Sequence, residues 1–220
     1  MLIPIRLAIS NAFLLQGTRT VLVDSGRHTD VPLLVAALHR AGVGPGDLSL
    51  LLHTHAHWDH CGGTRQLKQW TDAPAAVHRA DADRMSRGVN GPLKPTGPVG
   101  FLLRRFLDRP YPPLKADLVF DDELDLRPFG VEARVVPSPG HSAGSITVLT
   151  ATGEAIIGDL LMGGYATGKL FPHIPTLHYF VEDMPTLRAS IRKLLDWAPS
   201  RVFTGHGGPL RLDAIRRRFG

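Results

Sequence analysis

The chain has 220 residues, of which 43% are hydrophobic and 20% charged; it is too apolar for a disordered protein and of a size that one core supports. Its formal charge of +5 and pI near 9.8 come from arginines that are scattered apart from Arg104, Arg105 and the tail Arg211, Arg216, Arg217 and Arg218. That distribution reads as a solvated basic face and makes nucleic acid an unexpected partner. A lone Cys61 excludes an internal disulfide, and no apolar run reaches the length of a membrane span.

The opening MLIPIRLAISNAFLLQG is apolar, but Pro4, Ser10 and Asn11 interrupt it and no small-residue cleavage site follows. It reads as two strands, Leu2 to Ala8 and Asn11 to Gln16, and a cytoplasmic protein is expected. TVLVDSG is a short buried strand that delivers Asp24 to its C-terminal end. Val31, Leu34, Val35 and Leu38 recur at helical spacing, with Asp30 placed to cap the N-terminus and Gly42 to end the helix. LSLLLHTH is a continuous buried-strand pattern, after which Gly62 and Gly63 open a helix from Thr64 to Trp70.

Further strands are predicted at Ala75 to His78, Leu118 to Phe120, Val131 to Pro137, Ile146 to Thr150, Glu154 to Gly158 and Arg201 to Thr204, with a helix from Pro185 to Trp197. Strands and helices alternate, so the fold class is α/β or α+β with covered sheets. The expected organisation is one domain over 1–220 with an insertion at 88–113. That insertion carries four glycines and six prolines around the helix-like GFLLRRFL, and it is expected to pack over the site.

The chemistry is concentrated in LLHTHAHWDHCGG. His55, His57, Asp59 and His60 set four donors within six residues, just after a strand, where the turning backbone can aim them at one point. Imidazole and carboxylate together suit borderline cations such as zinc. A chance H-x-H-x-D-H in a chain of this composition has a probability on the order of 0.002. Three more donors stand at predicted strand ends beside glycine: His141 in SPGHSAGS, Asp159 in AIIGDLL and His206 in VFTGHGG.

In order and approximate spacing these motifs resemble the metallo-β-lactamase superfamily, from VDSG at Asp24 to His206. The resemblance implies a four-layer αββα sandwich with two divalent metal ions at the loop edge of its sheets. It places His55, His57 and His141 on the first ion, Asp59, His60 and His206 on the second, and Asp159 between them. Zinc is the expected metal, with iron or manganese as alternatives. Asp24 is the candidate for orienting the ligating imidazoles, and Asp59 is the candidate base in a single-metal state.

Around this set, Tyr165 and Lys169 in MGGYATGKL are candidates to polarise a scissile group. His53, inside the strand, reads as a packed histidine and Cys61 as structural, while His173 and His178 read as pocket wall or surface. The implied function is hydrolysis of a small ester-type substrate, a thioester or lactone, by a metal-bridging hydroxide. The build is closest to glyoxalase II-like thioesterases and lactonases. The 14 residues after His206 leave out the helical region with which glyoxalase II grips a glutathione thioester, unless the insertion substitutes for it. The alternatives are a mononuclear-iron persulfide dioxygenase and a nuclease or phosphodiesterase. The expected partner is a small-molecule substrate.

Overall fold

The computed structural model describes residues 1–220. Its apolar side chains gather into three clusters, and the two-residue alternation along each strand decides which side chain joins which cluster. A six-stranded sheet holds β1 (Leu2–Arg6), β2 (Asn11–Gln16), β3 (Thr20–Val23), β4 (Leu48–Leu52), β5 (Ala75–His78) and β6 (Leu118–Phe120) in chain order. The first three run antiparallel, and β3 to β6 are parallel. Parallel neighbours need crossover connections. These carry α1 (Val31–Arg40), α2 (Thr64–Leu67), α3 (Arg79–Arg87) and, in the 88–113 segment, α4 (Pro98–Leu107).

A second sheet pairs β7 (Leu124–Asp125), β8 (Ala133–Pro137), β9 (Ile146–Thr150) and β10 (Glu154–Ile156) antiparallel. Then come the hairpin of β11 (Met162–Tyr165) and β12 (Leu170–Thr176), the helix α5 (Met184–Trp197), the strand β13 (Arg201–Phe203), which adds parallel to β10, and α6 (Leu212–Phe219).

In β4, Leu51 packs with Leu34 and Leu38 of α1 and Leu67 of α2, while Leu50 and Leu52 face Val135, Val148 and Ile156 of the other sheet; Leu48 breaks the alternation and joins the cluster of Leu51, where the register against β3 shifts. In the second sheet Ile156 and Phe203 point inward, and Ala155 and Val202 turn outward onto Leu187, Ile191 and Leu194 of α5. Each fully buried leucine, isoleucine or phenylalanine contributes about 1.5–3 kcal/mol. The resulting layers, helices, sheet, sheet, helices, are the αββα sandwich that the resemblance implies.

Some elements depart from the sequence expectation. The helix after the histidine cluster ends at Leu67 rather than Trp70, and β8 starts at Ala133 rather than Val131. RADADRMSR forms α3, which has no apolar stripe because its buried positions are Asp81 and Met85. The glycine- and proline-rich stretch after Asp159 forms the β11–β12 hairpin instead of a plain loop.

Four strand ends open onto one edge of the sandwich: β4 leads to His53–His60, the β8–β9 connection holds His141, β10 leads to Asp159 and β13 to His206. No helix is long and apolar enough to cross a membrane.

Candidate metal centre

The loop after β4 is held from outside by its backbone. Ala56 N–H donates to Asp81 Oδ2 at 2.9 Å, Trp58 N–H to Asn90 Oδ1 at 2.9 Å, and the Asp59 carbonyl accepts from Ser10 Oγ at 2.6 Å. The loop therefore keeps its irregular path without orphaned polar groups. His55, His57 and His60 are buried beside it, and Asp59 is partly open to solvent.

The seven predicted donors meet at this edge. His55, His57 and His141 form one compact triad, and Asp59, His60 and His206 form another. Asp159 Oδ2 lies 3.9 Å from His55 Nε2, 3.5 Å from His60 Nε2, 3.6 Å from His141 Nε2 and 3.3 Å from His206 Nε2. One carboxylate oxygen thus touches both triads. Gly205 is needed here because a Cβ would run into Asp159 Oδ1 and His60 Cε1.

Hydrogen bonds on the far side of the rings set which nitrogen faces the centre. His60 Nδ1 donates to Asp24 Oδ2 at 2.9 Å, His141 Nδ1 to the Phe180 carbonyl at 2.9 Å, and His206 Nδ1 to the Ile9 carbonyl at 2.6 Å. Each neutral ring then offers its Nε2 lone pair inward. His55 does the same, with Nδ1 at 3.1 Å from Thr54 Oγ1, a hydroxyl whose own proton goes to Asp24. His57 instead presents Nδ1, which lies 3.0 Å from His141 Nε2.

Converging lone pairs repel unless a cation lies among them, and the buried His55 Nε2 and Asp159 Oδ1 have no hydrogen-bond partner. The donor set and these orphaned atoms fit divalent metal ions.

Burial pushes the His57 and His141 pKa values down to about 3, against the pull of Asp159. Those rings are neutral and ready to ligate at pH 7. For His60 and His206 burial acts the same way, but Asp159 and Asp59 outweigh it and raise both. Without metal these two rings compete for protons, so metal uptake is expected to release protons and its apparent affinity to fall as pH drops. Calorimetric titration in buffers of different ionisation enthalpy measures this; an uptake without proton release would contradict it.

Asp24 sits at φ 62° beyond β3, a left-handed turn that aims its carboxylate inward. Besides His60 it accepts from Thr54 N–H at 2.8 Å and Thr54 Oγ1 at 2.7 Å. It therefore sets the orientation of His60 directly and of His55 through Thr54. Asp24→Asn tolerates the same backbone but removes the charge, and metal affinity should weaken about 10–100-fold, measured by chelator competition, with the fold retained.

His53 is buried behind the centre, its Nε2 3.1 Å from Thr64 Oγ1. Cys61 is buried, and its thiol donates to the His57 carbonyl. Tyr165 requires a correction: its side chain is 45% exposed and does not line the cleft. The register shifts between Gly163 and Tyr165, and Gly164 at φ 73° turns the tyrosine outward. Lys169 and His173 are likewise exposed. The tyrosine at the cleft is Tyr179, whose hydroxyl accepts from Ala166 N–H.

His178, read from the sequence as pocket wall or surface, lines the cleft, and its Nε2 lies 3.3 Å from Asp159 Oδ2. One residue escaped the sequence reading. Asp81 is fully buried and accepts from Ala56 N–H, Ser142 Oγ at 2.7 Å and Gly144 N–H at 3.0 Å. It ties the loop of His55 and His57 to the loop of His141.

The 88–113 segment contributes Asn90, Leu93 and Leu107 to the cleft, opposite Phe180 and His178. A larger surface hollow between Glu123 and Trp197 holds none of the compact His/Asp groups.

A sandwich of this layering with clustered histidines and aspartates at its loop edge defines a metal-dependent hydrolase class. The chain belongs to the metallo-beta-lactamase superfamily, whose model matches residues 5–206. It is 26% identical over 202 residues to the probable metallo-hydrolase MJ0888 of Methanocaldococcus jannaschii, covering 90% of this chain and 87% of that protein. It is 31% identical over 186 residues to the hydroxyacylglutathione hydrolase of Alkalilimnicola ehrlichii, covering 84% of this chain and 55% of that protein. Among solved structures, TTHA1623 in a di-iron-bound form superposes with a TM-score of 0.71 at 28% identity, covering 99% of this chain and 98% of that one. The BLEG-1 B3 metallo-beta-lactamase shares the fold, with a TM-score of 0.73 at 24% identity over 100% of this chain and 98% of that one.

Proposed function

We propose that this protein hydrolyses a small ester-type substrate, a thioester or a lactone, with two divalent metal ions, zinc by the donor chemistry. His55, His57 and His141 would hold one ion, Asp59, His60 and His206 the other, and Asp159 would reach both. The observation that carries this reading is the pair of complete triads sharing Asp159 at the floor of one cleft. When bound, such ions supply Lewis acidity, which makes a water-derived nucleophile available near neutral pH and polarises a carbonyl.

The chain's own residues do the rest. Asp24 and the carbonyls of Phe180 and Ile9 lock the rings in place before substrate arrives. Leu93, Leu107 and Phe180 wall the cleft and exclude bulk water. A narrow apolar cleft suits a small molecule, and the pairing of Asp213 with both Arg211 and Arg217 neutralises part of the basic tail. Both features speak against a nucleic-acid substrate.

Relatives named hydroxyacylglutathione hydrolase support the thioester side of the reading. The di-iron relative keeps iron in view as the bound metal. A one-iron dioxygenase would use only one of the two triads, which is why hydrolysis is preferred.

The test is elemental analysis of protein purified without chelators, followed by assays on acyl-glutathione and lactone panels. Hydrolysis that disappears together with the metal in His55→Ala supports the proposal. Metal-replete protein inert toward every carbonyl ester, with unchanged metal content in His55→Ala, would refute it.

A further inference from the structure

His178 stands apart from the other histidines of the centre. Its ring packs edge-on against His141, centroids 4.5 Å apart, and stacks on His206 at 5.5 Å. Its Nε2 faces Asp159 Oδ2 at 3.3 Å. By proximity alone it would pass for one more ligand, because His141, Asp159 and His178 also form a compact group.

The Phe180 peptide decides otherwise. Its N–H points at His178 Nδ1 at 3.2 Å and has no other hydrogen-bond partner. Its carbonyl also lies 3.2 Å from that nitrogen, but this oxygen already accepts from His141 Nδ1 at the shorter distance of 2.9 Å. A proton on His178 Nδ1 would leave the buried Phe180 N–H unsatisfied, an arrangement native structures avoid. The neutral ring therefore carries its proton on Nε2.

One peptide thus fixes opposite tautomers in two touching rings. Its carbonyl takes the Nδ1 proton of His141 and leaves that ring a lone pair at the centre. Its N–H occupies the lone pair of His178 and leaves that ring an N–H at the centre.

We propose that His178 is a hydrogen-bond donor of the centre and not a metal ligand: its Nε2–H helps bind an oxyanion, carboxylate or phosphate in class, that enters the cleft. His178 lines that cleft beside Asp59, Asp159 and His206, and its side chain keeps 11% exposure, enough for a bound ligand to reach it. The proposal rests on the metal-centre reading above.

Two measurements test it. In zinc-loaded protein labelled with ¹⁵N-histidine, the ring signals lost in His178→Phe should show a protonated Nε2 and a bare Nδ1. A protonated Nδ1, or an Nε2 with the shift of a metal-bound nitrogen, would overturn the assignment. In cobalt-loaded protein, followed by its visible spectrum, His178→Phe should keep the wild-type metal content and bind inorganic phosphate about tenfold more weakly, the loss of one charge-assisted hydrogen bond. His178→Gln, which restores an N–H donor, should stay within about threefold of wild type. Loss of metal in both variants, or unchanged phosphate affinity in His178→Phe, would overturn the donor role. Wild-type protein that takes up no metal at all would overturn the metal-centre reading instead.

Discussion

Asp159→Ala is expected to lower ester hydrolysis by about 10³-fold or more, the scale of losing metal-assisted charge stabilisation. Four of the proposed ligand imidazoles direct a nitrogen at Asp159 Oδ2 within 3.9 Å. Without the carboxylate those lone pairs face one another with a single remaining negative charge, Asp59, and two ions can no longer be balanced. Metal content should fall along with activity. The fold should persist, because the β10 strand that leads to Asp159 is anchored by Ala155 and Ile156 in two separate clusters. Measured kcat/KM on the best substrate, together with metal stoichiometry, tests this. A variant that keeps both its metal and its rate would show that Asp159 is not shared between the triads.

Asp81→Ala should cost about 3 kcal/mol of stability, the scale for stranding the partners of a buried charge. The carboxylate satisfies the backbone N–H groups of Ala56 and Gly144 and the Ser142 hydroxyl, and Arg84 lies 3.6 Å away with its main partner in Glu182. Neither backbone N–H has another hydrogen-bond acceptor in the structure. For a chain of this length the loss corresponds to a fall in Tm of about 6–12 °C, measured on metal-free protein. A second effect follows from position. Asp81 fixes the distance between the loop of His55 and His57 and the loop of His141, so metal affinity at that triad should weaken as well. An unchanged Tm would mean that the two loops hold together without this carboxylate.

The comparison of sequence with structure is clearest at particular residues. The buried strand LSLLL and the helix from Val31 to Arg40 were legible because their apolar periodicity has no competing pattern. α3 was not, because a helix whose buried face carries Asp81 reads as solvated throughout. β11 and β12 were hidden by their glycines and prolines, whose local preferences oppose a strand until the two segments pair. Tyr165 in MGGYATGKL reads as a candidate at the cleft, and one bulge turns it to the other face.

Most of the candidate centre was readable in advance, since ligand chemistry restricts residue type and close spacing restricts the backbone: His55, His57, Asp59 and His60 lie within six residues. His141, Asp159 and His206 were found by their glycine-flanked strand ends. His178 and Asp81 carry no such local mark. Their roles at the centre became visible only when the β8–β9 loop, the Phe180 peptide and the start of α3 came together around the histidines.

By itself the sequence determined the main buried strands and helices and the seven candidate donors, because these depend on residue type and period along the chain; the layer order and the division of the donors into two sets followed from the resemblance that its motifs carry. The tertiary structure decided which nitrogen of each imidazole faces the centre, which buried carboxylate joins the two loops, and which histidine donates instead of ligating. Those choices are made by hydrogen-bond partners such as Asp24, Ile9 and Phe180, up to 197 residues away from the rings they fix. No pattern along the chain encodes a contact that exists only once the sheets have packed.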